Sequence, residues 1–521
     1  MFLLNLIVFV LVLGVIILIH ELGHFYFAKK SGILCHEFSI GMGPALYQKR
    51  KGETIYSVRA IPIGGYVSMA GESITDALIK KTMIIGVQID EMNRITSIVL
   101  NEETKSDLIG AVIDYDLYGK DQSKLFITLD IQGEQKTLEV LRDAIYIIND
   151  KKQMWITPEE KSFESKTLRQ RFMVIFAGPM MNFILALLLF LIVGFFAFKP
   201  NLDSNIVDSV AELSPAHAIG LEAEDQITMI DGNVINSWND LSNVMQSINK
   251  VKFPISYTRA GTVFNKDVTA LVIIQMAGIT NAYVDGVYYS DVPMIGQTFG
   301  RAQSEAGLES QDLIVSFETN GMTYPILNWN DILLFFRDIT SGSLTINYIR
   351  DGILNETTYD LISQNALEKL GHQPILIQLG VTATSNFNLG YTLIYPFRMV
   401  YDNTMQVLNT IGLLFSPSEK LGVGDLSGPI GIFTLVSQTR SQGFLAIVSF
   451  TAFLSINIGL LNLLPIPALD GGRLVFLGIE AVTRKPLNKR IENMVNQTMF
   501  ILLMVLFVFV TYNDIIRLIN G

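Results

Sequence analysis

Residues 2–24 read FLLNLIVFVLVLGVIILIHELGH, and this stretch decides how the rest of the chain is read. Asn5 is the only polar residue in positions 2–19. About 20 apolar residues cross a bilayer as a helix, so the segment is predicted to span. At its end stand His20, Glu21 and His24. Histidines four apart share one face of a helix, and both imidazoles can reach one metal ion. A glutamate beside the first histidine is placed to take a proton from a water activated by that metal. Ionisable side chains are costly inside a membrane and are functional by default there. The competing reading is a chance pattern on a soluble surface helix, and the uniformly apolar run before it argues against that.

The composition fits a membrane protein: 50% of residues are hydrophobic, 17% are charged, and the mean hydropathy is +0.38. One cysteine, Cys35, excludes an intrachain disulfide and any cysteine-based zinc site. The net charge of −11 argues against nucleic acid binding. Spans are expected at 2–24, 172–198, 443–464 and 495–512. The shorter apolar piece 474–482 is interrupted by Glu480 and is expected to be buried or interfacial. Residues 1–19 carry no Lys or Arg, so a signal peptide with a basic start is not indicated. Lys29, Lys30, Lys49, Arg50 and Lys51 follow the first span, while Lys166, Arg169 and Arg171 precede the second. Arg473, Arg484, Lys485, Lys489 and Arg490 lie between the third and fourth. Positive loops stay cytoplasmic, which places both termini and residues 199–442 outside. His20 then lies about 27 Å along the first helix, near its cytoplasmic end. A third metal ligand is expected from the cytoplasmic end of the third span.

Just past that span the chain reads Asn462-Leu463-Leu464-Pro465-Ile466-Pro467-Ala468-Leu469-Asp470-Gly471-Gly472. Asp470 is a carboxylate at the expected depth, and the prolines break the helix so that it can turn back. Two histidines, one carboxylate and an open position for water make a catalytic zinc site rather than a closed structural one. The alternative is an interfacial aspartate in an Asp-Gly turn.

With these motifs the chain resembles the intramembrane site-2 zinc metalloproteases, nearest the RseP/RasP type with PDZ domains. Other stretches carry the same likeness: Phe176-Ala177-Gly178-Pro179-Met180-Met181-Asn182-Phe183 in the second span, Ile63-Gly64-Gly65-Tyr66-Val67, and Leu426-Ser427-Gly428-Pro429-Ile430-Gly431. The resemblance implies zinc held by His20, His24 and Asp470, with Glu21 as the catalytic base. It implies substrate-backbone contacts from Asn462 and, more weakly, Asn182. It also implies a membrane-associated β-hairpin at residues 37–69, turning at Lys49-Arg50-Lys51-Gly52. There Gly41 and Gly43 flank Met42 on an edge strand that pairs with unwound substrate; an ordinary glycine bulge is the alternative. The implied partners are single-span membrane proteins already shortened by an upstream site-1-type protease, such as anti-sigma factors or remnant signal peptides, and the lipid bilayer. No nucleic acid is implied. The implied location is a bacterial inner or plasma membrane.

Residues 200–380 contain an ordered duplication. Gly220-Leu221-Glu222 and Asp225 recur as Gly307-Leu308-Glu309 and Asp312, while Trp238-Asn239-Asp240-Leu241 recurs as Trp329-Asn330-Asp331-Ile332. Tyr257 to Gly261 recurs as Tyr348 to Gly352. Each copy resembles a PDZ domain, the second less closely; β-rich spacers are the alternative. His217 and His372 fall here and are expected to be ordinary surface or packing residues. Residues 80–160 are expected to be a mostly β insertion without a catalytic constellation, and 391–415 an amphipathic helix.

The expected architecture is a polytopic α-helical membrane protein with four transmembrane helices, a cytoplasmic β-hairpin and β-rich insertion, and two extracytoplasmic PDZ-like α+β domains. The expected divisions are the first helix at 1–30, hairpin and insertion at 31–170, and the second helix at 171–199. PDZ domain 1 follows at 200–290, PDZ-like domain 2 at 291–385, a juxtamembrane segment at 386–442, and the last two helices with the third ligand at 443–521. The rivals are a catalytically vestigial PDZ scaffold or chaperone, against which the intact Glu21 speaks, and a metal transporter, for which the upper first span offers only Asn5.

Overall fold

The computed structural model describes residues 1–71, 77–149, 152–284, 286–416 and 428–520. They form two compact units. One contains Met1–Phe190 and Phe433–Leu506; the other contains Leu191–Ile432 and Phe507–Gly521.

Four helices are long and apolar enough to cross a membrane: Phe2–Lys30, Leu168–Phe196, Phe444–Leu463 and Lys489–Ile516. A helix of this kind stands at each of the four expected positions, with ends within six residues of those expected. The first helix is apolar all round, yet its buried residues form one stripe: Asn5, Phe9, Val12, Ile16, His20, Gly23, His24 and Ala28. That three-to-four-residue spacing is one helical face, and both histidines lie on it. Gly23 lies against the Ala177 carbonyl of the second span, where a Cβ would have no room. Small residues permit such close helix crossings. Asn5, the one polar residue high in this span, is satisfied by the helix Pro429–Ser441: its amide donates to Ser437 at 2.5 Å, and Arg440 donates to its oxygen at 2.6 Å.

The expected simple hairpin is more folded than a two-strand ribbon. Cys35–Lys51 and Thr54–Met69 pair antiparallel, but the pairing switches partway. Residues 35–40 meet 65–69, residues 45–51 meet 54–59, and 37–40 also align with 55–58. A second device holds this sheet: Glu37 accepts from Ser57, Arg59 and the Tyr66 hydroxyl.

The insertion is a small closed barrel. Strands Ile95–Val99, Ile84–Ile89, Leu108–Asp116, Phe126–Ile131 and Glu134–Asn149 are paired in that order, and the last pairs back to the first. Val87, Ile95, Ile98, Ile127 and Leu129 fill it. Closure removes the sheet edges that would otherwise template aggregation.

The second unit carries the duplication as two sheets of identical order. Asn233–Val234, Gln226–Ile230, Lys252–Arg259 and Thr262–Thr269 are matched by Met322–Pro325, Leu313–Thr319, Ser343–Arg350 and Ile353–Asp360. The repeated motif residues make the same contacts in both copies. Arg259 grips the buried Asp225 through two bonds of 2.7 Å, and Arg350 grips Asp312 at 2.7 and 2.6 Å. The copies do not separate at the expected cuts of 200–290 and 291–385. The strand Val381–Ala383, from after the second copy, pairs with Val207–Val210 at the start of the first. Its counterpart in the second copy is Ile279–Asn281, paired with Ile295–Thr298. Antiparallel pairing leaves chain order free, so a late strand can complete an early module.

Leu389–Leu414 forms the expected amphipathic helix, with Arg398 and Asp402 paired one turn apart on its exposed side. Of the segment 426–431, Leu426 and Ser427 lie outside the described residues, while the Gly428 and Gly431 amides donate to Asp514. Strand accounts for about 32% of the chain, so "α-helical" describes its membrane part only.

Candidate metal centre

Three donors converge in the first unit. His20 Nε2 and His24 Nε2 are 3.2 Å apart, and Asp470 Oδ2 lies 3.1 Å from the first and 3.3 Å from the second. Asp470 opens the helix Asp470–Thr483 immediately after the proline-broken turn. Gly471 and Gly472 let that turn fold back, because a Cβ on either would strike the carbonyls of 463, 464 and 466. Ala468 adopts φ +75°, and its amide donates to Asn496 of the fourth span at 3.1 Å. The turn carrying Asp470 is therefore pinned, and it brings the Asp470 carboxylate against both histidines.

The donor set fits zinc. Zinc–ligand bonds of 2.0–2.1 Å in tetrahedral geometry separate neighbouring donors by about 3.3 Å, and the three observed edges are 3.1–3.3 Å. His24 Nδ1 lies 2.8 Å from the Val174 carbonyl, which can only accept, so Nδ1 carries a proton and the neutral ring offers its Nε2 lone pair toward Asp470. Asp470 Oδ2 is buried, and the polar atoms it faces are the two histidine Nε2 atoms. Lone pairs gathered this closely need a cation. The second span leaves room for one: a Cβ on Gly178 would stand 2.6 Å from His24 Cε1 and 2.8 Å from His20 Nε2. Among the described residues these three form the one group of metal-ligating side chains.

Glu21 lies on the same helix next to His20, partly exposed, with its stem against Gly65 of the adjoining sheet. A Cβ on Gly65 would come within 3.1 Å of Glu21 Cγ and 2.9 Å of the Ser39 carbonyl.

The two asparagines expected near substrate are placed differently. Asn462 is half-buried on the third span, one residue before that helix ends. Asn182 is fully buried, with its amide 3.2 Å from His20 Nδ1. Gly41 and Gly43 sit where the sheet exchanges partners, both with left-handed φ, +84° and +82°. Gly41 also lies close to the Ile61 carbonyl, so close approach of a backbone from its own sheet accounts for at least that glycine. His217 lies in a short helix of the second unit and is exposed, as is His372. Neither joins the metal group.

Sequence reasoning missed Gly178, Gly65 and Asn496 as parts of this site. Gly178 and Gly65 stood inside quoted motifs, but their use depends on which helix or strand passes them. Asn496 carries a signal of its own, a polar side chain at the edge of an apolar run.

The sequence profile described as peptidase family M50 matches residues 8–506. A zinc metalloprotease RasP of Shouchella clausii is 30% identical over 514 residues, covering 99% of each chain. A zinc metalloprotease RasP of Geobacillus kaustophilus is 28% identical over 513 residues, covering 98% of this chain and 97% of that one. Among solved structures, a PDZ domain of an SdrC-like protein from Listeria monocytogenes is 31% identical over 14% of this chain and 76% of that chain, with a TM-score of 0.12.

Proposed function

The chain belongs to peptidase family M50, the site-2 zinc metalloproteases, and from that premise we propose that it cuts single-span membrane proteins within the bilayer, near the cytoplasmic face. The observation carrying this reading is the triangle of His20, His24 and Asp470 at the end of an apolar spanning helix, with Glu21 beside it.

His20, His24 and Asp470 would hold the metal. Zinc, when bound there, supplies Lewis acidity that lowers the pKa of water and polarises a carbonyl. Glu21 accepts the proton of the attacking water on its carboxylate and delivers it to the departing amine nitrogen. Asn462, half-exposed at the end of its helix, donates its amide to the substrate backbone near the scissile bond. The pinned turn 465–469 and the Gly65 strand hold ligand and base in register, so little ordering remains for the moment of reaction.

A helix must unwind before its peptide bonds are accessible, and the sheet at 35–69 offers backbone for the freed strand. It exposes Ile40, Met42, Leu46 and Tyr47, which suits the membrane surface. Residues 199–442 lie outside the cell in this reading, and the repeated modules screen substrates already trimmed by an upstream protease, of the class of anti-sigma factors or remnant signal peptides. The first module has the open groove. Among the described residues Val381–Ala383 is paired on one side only, while its counterpart Ile279–Asn281 is paired on both. The helix Trp238–Ser247 and residues 377–381 line a cavity of about 430 Å³. Trp238 is partly exposed, whereas the equivalent Trp329 is fully buried.

The test is cleavage, in detergent, of a tagged single-span substrate with a shortened ectodomain, by wild type and by Glu21→Gln. Cleavage by wild type alone, stopped by a zinc chelator, supports the reading. Equal cleavage by both, or by neither across several substrates, rejects it.

A further inference from the structure

Asn182 has no obvious use as a substrate ligand. It is fully buried between the second and third spans, where the Ser455 hydroxyl donates to its main-chain carbonyl at 2.8 Å and Gly459 approaches its Cβ. Its side chain reaches one polar group, His20 Nδ1, at 3.2 Å, and its Oδ1 is buried without a partner. An amide in an apolar span is costly unless it is bonded.

The chemistry of a ligating imidazole resolves both facts. When Nε2 gives its lone pair to a metal, the neutral ring carries its proton on Nδ1, which must donate. With Nδ2 toward the ring, two N–H groups meet and Oδ1 is stranded. Turned through half a revolution, Oδ1 accepts from Nδ1–H, and the stranded oxygen gains its bond; the two ends of an amide are nearly the same shape. His24 has the matching arrangement on its own ring, with the Val174 carbonyl as acceptor. Both acceptors come from the second span, eight residues apart, on either side of Gly178.

We propose that Asn182 is a positioning residue for the metal centre: its side-chain oxygen holds the His20 ring and its Nδ1–H tautomer, rather than contacting substrate. The inference rests on the metal-site reading but not on the identity of the substrate.

The experiment measures zinc affinity of the purified full chain in detergent, by competition with a fluorescent chelator, alongside cleavage. Asn182→Leu and Asn182→Ala lose the acceptor and are expected to bind zinc about 10–100-fold more weakly, the usual cost of losing such a partner. Asn182→Asp keeps an acceptor at the same place and is expected to retain wild-type affinity. Ser455→Ala, which alters packing at the same helix contact without touching the ring, is also expected to retain it. Wild-type zinc affinity in both Leu and Ala variants with cleavage lost would overturn the proposal and return Asn182 to the substrate. Equal weakening in Ser455→Ala would overturn it as well, by making the effect one of helix packing. If Leu does not accumulate as folded protein, Ala decides. Absence of cleavage by wild type would count against the proposed reaction while leaving the affinity comparison intact.

Discussion

Gly178→Ala is the sharpest single test of the metal centre, because one methyl group is asked to evict an ion. The added carbon would stand 2.6 Å from His24 Cε1 and 2.8 Å from His20 Nε2, and nearer still to His24 Nε2. Non-bonded heavy atoms settle at about 3.5 Å or more, so the rings or the backbone must yield by more than about 0.9 Å. Neither is free to do so. His24 is tied to the Val174 carbonyl and His20 faces Asn182. The second span cannot retreat cheaply, since its Ala177 carbonyl is already closed against Gly23. Metal sites tolerate displacements of only about 0.2 Å in ligand distance. Zinc affinity should fall by about 100-fold or more, equivalent to roughly 2.7 kcal/mol. Chelator competition gives the affinity, elemental analysis after gel filtration gives the stoichiometry, and a thermal melt of the metal-free protein reports the fold. A Gly178→Ala protein with wild-type zinc affinity and full cleavage would refute the geometry, since the pocket would then have room for both methyl and metal.

Glu21→Gln should retain zinc at wild-type stoichiometry while cleavage becomes undetectable; loss of zinc in that variant would mean the carboxylate serves the metal rather than the water. Gly65→Ala should also retain zinc but lower kcat by up to about 10-fold, since the added carbon, 3.1 Å from Glu21 Cγ, pushes the stem by about 0.4 Å and a full 1 Å at a catalytic group costs about 100-fold; an unchanged kcat would sever the link between this sheet and the base. Asp312→Asn should lower the stability of the second module by about 2 kcal/mol, below the usual range for a broken buried pair because Arg350 is partly exposed; protease susceptibility of the full chain at residues 292–360 reports it. Burial opposes ionisation of Glu37, but bonds from Ser57, Arg59 and Tyr66 hold its carboxyl below the ordinary glutamate value, and burial first, then Glu37, pushes the Tyr66 hydroxyl up to about 12. The contribution of Glu37 is thus present above the ordinary glutamate range and lost as pH falls through its lower folded value. Proteolysis of the sheet should be unchanged from pH 8 to 5 in wild type and faster at both in Glu37→Gln.

Much of this site was legible in the chain because a membrane makes polarity expensive. His20, Glu21 and His24 stand out against an 18-residue run with one polar member, Asn5, and the positive loops give a depth at which Asp470 can be sought. What polarity cannot reveal is the recipient of a costly side chain. Asn182 and Asn462 look alike in sequence, each an amide beside an apolar run, and both were assigned to substrate. Burial separates them: Asn182 is sealed between two helices against His20, while Asn462 remains half-open at a helix end. Glycine is harder still to read, because its meaning lies in the neighbour it admits. Gly178 admits the rings of His20 and His24, and Gly65 admits the stem of Glu21.

The repeat shows the same limit at larger scale. Its aligned motifs sit 87 to 91 residues apart, which captures the helices and the four-stranded sheets. The loop glycines Gly278 and Gly380, at φ +73° and +77°, are also equivalents, but they are 102 residues apart. Each precedes the strand that its own module needs, and for the first module that strand arrives only after the second has been traversed. A constant-offset search therefore finds the parts of the repeat that fold locally and misses the strand that closes it. Among the described residues that strand is also paired on one side only, so the piece hardest to assign from sequence is the one with a free backbone edge.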